Sequence, residues 1–179
     1  SNKILKLMNR KHTVEEYLEI INKLKNVKPN IKFSSDFIIG YPGETYNDYK
    51  QTVELMKNVK FINSFSFIYS ARPGTPASNL SEINEIDSKK RLRNFQTIAE
   101  KIKTNYKKSL IDKIVPVLFE NEMKTKNEYF GRDEYFNSIV VKNSENLKGK
   151  VKNVKIKKCN QNTLFGEVEE NFNHTNHAA

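Results

Sequence analysis

The stretch that decides the fold reads Asp36-Phe-Ile-Ile-Gly-Tyr-Pro-Gly-Glu-Thr45. An apolar, β-branched run leads into it from Ile31, and such a run is typical of a parallel strand buried on both faces. The glycines permit positive φ angles, the proline fixes its own φ, and Thr45 stands at an N-cap position. The stretch therefore predicts strand, turn and helix, and ligands of parallel α/β folds bind at the carboxyl ends of strands. The alternative interpretation is an ordinary strand-to-helix connection.

Strand and helix alternate on both sides of this stretch. A capping-box pattern, Thr13-Val-Glu-Glu16, opens one helix, a second amphipathic helix is predicted over 45–59, and an aromatic-rich strand over 64–70. Because two parallel strands cannot bury both faces or protect both edges, and because the sequence begins at Ser1 without Met, we expect the C-terminal part of a longer protein. The alternative is a compact α+β domain whose other strands escape the pattern.

A long basic helix is predicted from Asp87 to about Leu110. Its apolar positions recur at steps of three and four: Leu92, Phe95, Ala99, Ile102, Tyr106 and Leu110. Residues 87–112 carry eight basic and three acidic side chains, which is half of the net charge of +10. This concentration of charge favours a polyanionic partner such as RNA, and the alternative is a solvated lysine-rich face.

The last third of the sequence consists of short β runs separated by polar turns. The runs are 114–120, 128–132, 138–142, 150–157 and 164–169. Their number and spacing predict a small antiparallel OB-like barrel. The predicted domains are thus an α/β part over 1–111, a barrel over 112–170 and a disordered tail over 171–179.

Cysteine content and hydropathy limit the chemistry of the chain. Cys159 is the only cysteine, so the sequence holds no internal disulfide and no cysteine set for zinc or an iron–sulfur cluster. No apolar run reaches the length of a membrane span, and the first residues do not resemble a signal peptide. We expect a cytoplasmic protein with neither a catalytic nor a metal-binding residue of its own.

Three motifs in order closely resemble the radical-SAM methylthiotransferases: residues 1–10, residues 35–45, and residues 69–77 with their Arg-Pro-Gly-Thr. The arginine form of the third motif resembles the tRNA branch, which makes 2-methylthio-N6-isopentenyladenosine beside the anticodon. Residues 131–138 resemble the RNA-facing hairpin of the family's TRAM domain.

The resemblance implies the C-terminal part of a parallel α/β radical-SAM barrel followed by a TRAM barrel. It also implies S-adenosylmethionine (SAM), [4Fe-4S] clusters and a tRNA anticodon arm as partner. Separately, we expect a monomer. The family's cluster cysteines would precede Ser1, so the chain alone is expected to be inactive. Two alternatives stay open: a stand-alone RNA-binding module without catalysis, and a methylthiotransferase acting on threonylcarbamoyladenosine.

The resemblance and the residue chemistry together assign candidate site residues. Those expected to hold SAM are Arg10, Ser35, Asp36, Gly40, Tyr69 and Ser70. Those expected at the substrate or RNA are Arg72, Thr75, Lys107, Lys108, Phe130, Arg132, Tyr135 and Asn137. A guanidinium suits a carboxylate or phosphate, and an aromatic ring stacks on an unpaired base. Three structural roles compete with these: Phe130 in the barrel core, Asp36 hydrogen-bonded, and Glu44 accepting amides of its own turn.

Overall fold

The computed structural model describes residues 1–169. They form two compact units that divide between Lys103 and Thr104, inside a helix, and each unit has its own hydrophobic core. The domain limits predicted from sequence stay a prediction, and the predicted tail lies outside the described residues. No helix within residues 1–169 has the length and apolar character needed to cross a membrane.

The first unit contains two parallel strands, four α-helices and one short 3-10 helix, Pro76–Asn79. In chain order the strands and α-helices are α1 (Asn2–Leu7), α2 (Val14–Val27), β1 (Ser34–Ile39), α3 (Tyr46–Val59), β2 (Asn63–Ile68) and α4 (Glu85–Ser109), of which α4 continues into the second unit. The strands pair in register from Ser34 opposite Asn63 to Ile39 opposite Ile68. Their carboxyl ends therefore lie side by side, as the alternating pattern predicts.

The predicted helix starts are confirmed for α2 and α3, and wrong for α4. Thr13 and Thr45 each cap a helix in a complete capping box. The helix α4 begins two residues before the predicted cap Asp87, and the Asn84 side chain accepts the amide of Ile86 at 2.8 Å. Asn84 therefore binds a backbone amide at the start of α4, which is the capping role that the sequence assigned to Asp87.

The two faces of the small sheet differ. Phe37 and Ile39 are buried in a core built with α2, α3 and α4. The opposite face exposes Asp36 and three apolar side chains: Ile38, Phe65 and Phe67. Within the described residues the helices cover one face only, as expected for two parallel strands that cannot bury both faces by themselves.

The second unit is a closed barrel of five strands: β3 (Ile114–Glu122), β4 (Glu128–Arg132), β5 (Ser138–Lys142), β6 (Val151–Cys159) and β7 (Thr163–Val168). The strand order is β3-β4-β5-β7-β6. Four neighbouring pairs are antiparallel, as predicted, whereas β5 and β7 pair in parallel. A five-stranded barrel with one parallel pair is compatible with the OB-like barrel predicted from the sequence.

Two glycines allow the strands of the barrel to approach closely. A Cβ added at Gly131 would lie 2.5 Å from the carbonyl oxygen of Leu118, and one at Gly166 would lie 2.5 Å from that of Lys155. Any larger residue would push neighbouring strands apart. The interior is filled by side chains that include Val117, Phe119, Ile139, Val154 and Leu164, all fully buried.

Candidate functional site

The turn after β1 is held together by the buried carboxylate of Glu44. One oxygen, Oε2, accepts the amide of Gly40 at 3.2 Å, and Oε1 pairs with Nη1 of Arg91 at 2.7 Å. The same guanidinium nitrogen donates to the carbonyl of Glu44 at 3.0 Å. Burial raises the pKa of Glu44, while the hydrogen bond and charge of Arg91 oppose that rise. The predicted structural role of Glu44 is confirmed, and sequence reasoning missed Arg91.

The space beside Gly40 is filled by the protein itself. Gly40 has a φ of +74°, and a Cβ there would lie 2.6 Å from Oγ of Ser88 on α4. A ligand cannot approach Gly40 from that side, and the expected role of Gly40 at SAM stays a prediction. Its role is to let the turn pack against α4.

Two tyrosines meet at the carboxyl ends of the strands. The rings of Tyr41 and Tyr69 are 5.0 Å apart in an edge-to-face arrangement, and the Tyr41 hydroxyl donates to the carbonyl of Leu7 at 3.0 Å. The amide of Tyr69 donates to the carbonyl of Ile39 at 2.9 Å, which extends the strand pairing by one bond. Within residues 1–169 the buried Tyr69 hydroxyl has no hydrogen-bond partner. A buried hydroxyl of this kind fits a polar group supplied from elsewhere.

The structure separates the other candidates for SAM. Ser35 lies near the start of β1, away from the carboxyl end, and its side chain is hydrogen-bonded to Tyr17 on the helix side. Asp36 lies on the open face of the sheet and is exposed, and its predicted hydrogen bond stays a prediction. Arg10 and Ser70 are exposed. Gly40 directly follows the end of β1, and Tyr69 and Ser70 directly follow the end of β2.

The loop after β2 is partly ordered by its own hydrogen bonds. Thr75 donates from its hydroxyl to the carbonyl of Arg72 at 2.8 Å, and the Arg72 side chain is exposed. The threonine therefore shapes the turn that presents the guanidinium. The roles of both residues at a substrate stay a prediction.

The basic helix is less uniformly solvated than the sequence suggests. Lys107 is 3% exposed, and its ammonium donates to the carbonyl of Gln161 at 2.7 Å. The expectation that Lys107 lies on a free surface is wrong, because the end of α4 packs against the β6–β7 turn of its own unit. Lys108 is exposed, as expected.

The β4–β5 hairpin is organised by Asp133, which sequence reasoning missed. Its Oδ1 accepts the amides of Tyr135 and Asn137, each at 2.9 Å, and its Oδ2 accepts the side-chain amide of Asn137 at 2.7 Å. Asn137 is buried and also donates to the Tyr106 hydroxyl at 3.4 Å. Asn137 therefore fixes the hairpin and does not face a partner. Aspartate side chains in turns commonly accept the backbone amide two residues later, and Asp133 before Tyr135 fits that pattern in the sequence.

The outer surface of β4 carries a cation beside an aromatic ring. The Arg132 guanidinium lies 5.2 Å from the centre of the Phe130 ring and pairs with Glu120 at 3.1 Å. Tyr129, and not Phe130, is the buried ring of this strand. Phe130 is half-buried, so the alternative of a core position for it is excluded.

The residues of this chain do not fit an iron–sulfur cluster. Cys159 is the single cysteine, and residues 1–169 contain no group of three or more His, Cys, Asp or Glu side chains placed to hold a metal ion. No step is assigned to a cluster on this chain. A SAM molecule is compatible with the strand-end edge, where the Tyr69 hydroxyl lacks a partner.

Comparison with known protein families finds two matches, one within each unit. Residues 1–56 match the Radical SAM superfamily and residues 108–168 match the TRAM domain. A tRNA-2-methylthio-N(6)-dimethylallyladenosine synthase of Pelagibacter ubique is 53% identical over 174 residues, covering 95% of this chain and 38% of the relative. An enzyme of the same name from Buchnera aphidicola (Baizongia pistaciae) is 44% identical over 97% of this chain and 39% of its own length. Another from Wolbachia pipientis wMel is 42% identical over 93% of this chain and 38% of its own length. The chain spans less than two fifths of the curated relatives it matches.

Proposed function

Because this chain belongs to the radical-SAM tRNA methylthiotransferases, of which it matches one part, we propose that it is the substrate-positioning and RNA-binding part of such an enzyme. The whole enzyme adds a methylthio group to C2 of N6-isopentenyladenosine next to the anticodon, in the cytoplasm and as a monomer. SAM and [4Fe-4S] clusters supply the radical and sulfur chemistry when bound. The chain's own residues position the substrate and hold its RNA.

One observation carries this proposal. The match to a relative of that name extends over 174 residues, covers 95% of this chain and therefore includes both units. A barrel shared with unrelated RNA-binding proteins would match over the second unit alone.

The decisive experiment is a chimera. The corresponding segment of the Pelagibacter relative is replaced by residues 1–179, and the chimera is expressed in a bacterial strain that lacks the enzyme. Nucleosides from its tRNA are then analysed by mass spectrometry. We expect 2-methylthio-N6-isopentenyladenosine to reappear. A chimera that is stable and carries its clusters but forms no methylthio nucleoside contradicts the proposal, and methylthiolated threonylcarbamoyladenosine would identify the other substrate.

The stand-alone RNA-binding module remains the second candidate because of one feature. The barrel is a closed sheet with its own core, whereas the sheet of the first unit leaves Ile38, Phe65 and Phe67 exposed. Such a module binds RNA equally well without the rest of the enzyme. The chimera separates the two candidates, since a binding module restores no modified nucleoside.

RNA binding by the hairpin is tested by the salt dependence of affinity. Arg132→Ala should reduce the slope of log affinity against log salt by at most about one phosphate contact, because Glu120 already pairs with this cation. Tyr135→Ala should weaken binding of an anticodon stem-loop with little change in slope, if a base stacks there. Lys57→Ala is the matched control, since Lys57 also pairs with an exposed glutamate, at 3.0 Å, but lies on α3. If both barrel variants bind like the control at every salt concentration, the hairpin is not the RNA surface.

A further inference from the structure

Two phenylalanines occupy equivalent places on the outside of the barrel. Phe130 on β4 and Phe165 on β7 are each followed by a glycine that faces a neighbouring strand at close range, Gly131 and Gly166. The residues before them, Tyr129 and Leu164, are buried in the core. Strand alternation therefore turns both phenylalanines outward, and both are half-buried.

The strand register places the two rings in one row. Phe130 pairs with Val140 on β5, and Val140 pairs with Phe165 on β7. Phe165 in turn pairs with Lys158 on β6. These four side chains, hereafter the outer row, cross four neighbouring strands of the barrel.

Each ring of the outer row has its own cation. The Arg132 guanidinium lies 5.2 Å from the Phe130 centroid, and the Lys158 ammonium lies 5.3 Å from the Phe165 centroid. Within residues 1–169, no carboxylate lies within salt-bridge distance of Lys158. Ring and cation together match the two parts of a nucleotide, since the base stacks and the phosphate is neutralised.

The distance between the two rings indicates whether single-stranded or duplex nucleic acid can contact both. Neighbouring strands lie about 4.8 Å apart, so rings two strands apart are separated by about 10 Å. Successive bases in a duplex are only about 3.4 Å apart, and their faces are covered by their neighbours. Two bases can reach both rings only if they are unpaired and splayed, as on other sheet surfaces that bind single-stranded RNA.

We propose that the outer row is a stacking platform for two unpaired bases of one RNA strand, one on Phe130 and one on Phe165, with Val140 beneath the connecting backbone. Arg132 and Lys158 bind the phosphates of these nucleotides. The proposal rests on the proposed function, in which this barrel holds RNA, and adds where the strand runs and how many bases it presents.

The test uses the full chain and two labelled probes, a single-stranded RNA of about eight nucleotides and a duplex of the same sequence. Binding is measured by fluorescence anisotropy for the parent chain, Phe130→Ala, Phe165→Ala and the double variant. Phe67→Ala is the control, since Phe67 is 57% exposed but lies in the first unit. We expect each barrel variant to bind the single strand roughly 5- to 100-fold more weakly, with duplex binding unchanged.

Two further variants separate stacking from folding and from general apolar contact. Phe165→Tyr keeps a stacking ring and should bind like the parent, whereas Phe165→Leu keeps apolar area without a ring and should lose most of the affinity. Circular dichroism confirms that the barrel is folded in each variant.

The outcomes distinguish this inference from the function on which it rests. If the parent chain binds the single strand and Phe165→Ala binds like Phe67→Ala, the outer row is overturned while RNA binding stands. If the parent chain binds no single-stranded RNA, the outer row and the RNA-binding part of the proposed function are both overturned.

Discussion

Removing the Arg91 side chain should strongly destabilise the first unit, because it leaves the buried Glu44 carboxylate without its cation. Arg91 and Glu44 lie 47 positions apart in sequence, and their ion pair joins the turn after β1 to α4. The side chains are 15% and 3% exposed. Arg91→Met keeps the length of the side chain but leaves the Glu44 carboxylate with the Gly40 amide as its remaining partner.

The magnitude follows from that burial. Breaking a buried ion pair by removing one partner costs about 3–5 kcal/mol, because the other charge stays desolvated. Since Arg91 retains some contact with water, we expect the lower end, about 3 kcal/mol, which corresponds to roughly 100-fold in an opening equilibrium. Replacing both partners, as in Glu44→Leu with Arg91→Met, should cost much less than the single change, because no buried charge is left unpaired.

The assay is amide hydrogen exchange of β1, because a chain with two units has no single unfolding free energy. Opening of Ser34–Ile39 is compared in the parent chain, Arg91→Met, the double variant and the control Arg93→Met, which changes an exposed arginine of the same helix. Burial raises the pKa of Glu44 above 4.5, and loss of Arg91 should raise it further. A raised carboxyl pKa favours the folded state at low pH, so the loss in Arg91→Met should be larger at pH 7 than near pH 4.5. Equal protection in Arg91→Met and Arg93→Met, at both pH values, would refute this reasoning.

Three further predictions concern the turn, the barrel and the chemistry. Gly40→Ala should destabilise the first unit by about 1–3 kcal/mol through its φ of +74° and the contact with Ser88, and Ser88→Gly should recover only the steric part, both measured by amide hydrogen exchange of β1. Burial raises the pKa of Tyr106 from 10.0 to about 12, so the stabilisation that Tyr106 gives the barrel is complete below pH 10 and is lost as the pH rises towards 12. Circular dichroism between pH 10 and 12 should show a weaker loss of structure in Tyr106→Phe than in the parent chain. An identical loss in both proteins contradicts the assignment. The chain alone, reconstituted with iron and sulfide, should cleave no SAM, and reproducible 5′-deoxyadenosine would overturn the placement of the cluster ligands outside it.

Local patterns predicted the elements, and tertiary contacts decided the site. The helix caps at Thr13 and Thr45 could be predicted because all their partners lie within three residues. By contrast, the Arg91 partner of Glu44 is 47 residues distant, and the burial of Lys107 depends on a carbonyl at position 161. Charge alone places every lysine of a basic helix in water, and only the packed structure shows which one is withdrawn from it.

The turn glycine is weak evidence for a ligand. Gly40 was expected to face a ligand and that expectation stays a prediction, but the side of Gly40 where a Cβ would stand is filled by Ser88, on a helix that begins 45 residues later. The positive φ of Gly40 is enough to explain why this residue is a glycine, and the close packing of α4 is a second reason. Glycine in such a turn is therefore weaker evidence for a ligand than the buried Tyr69 hydroxyl, which has no partner within the described residues.

The outward orientation of Phe130 could have been predicted from the alternation of residues along its strand. The strand reads Glu128-Tyr-Phe-Gly-Arg132, and its two charged residues stand at even positions. Since side chains alternate between faces, charges at 128 and 132 place residue 130 outside and Tyr129 and Gly131 inside, as the structure has them. The same parity in Thr163-Leu-Phe-Gly-Glu167 turns Phe165 outward. The alternation thus determines that both rings face outward, whereas their alignment in one row depends on the pairing of β4, β5 and β7, which no single strand encodes.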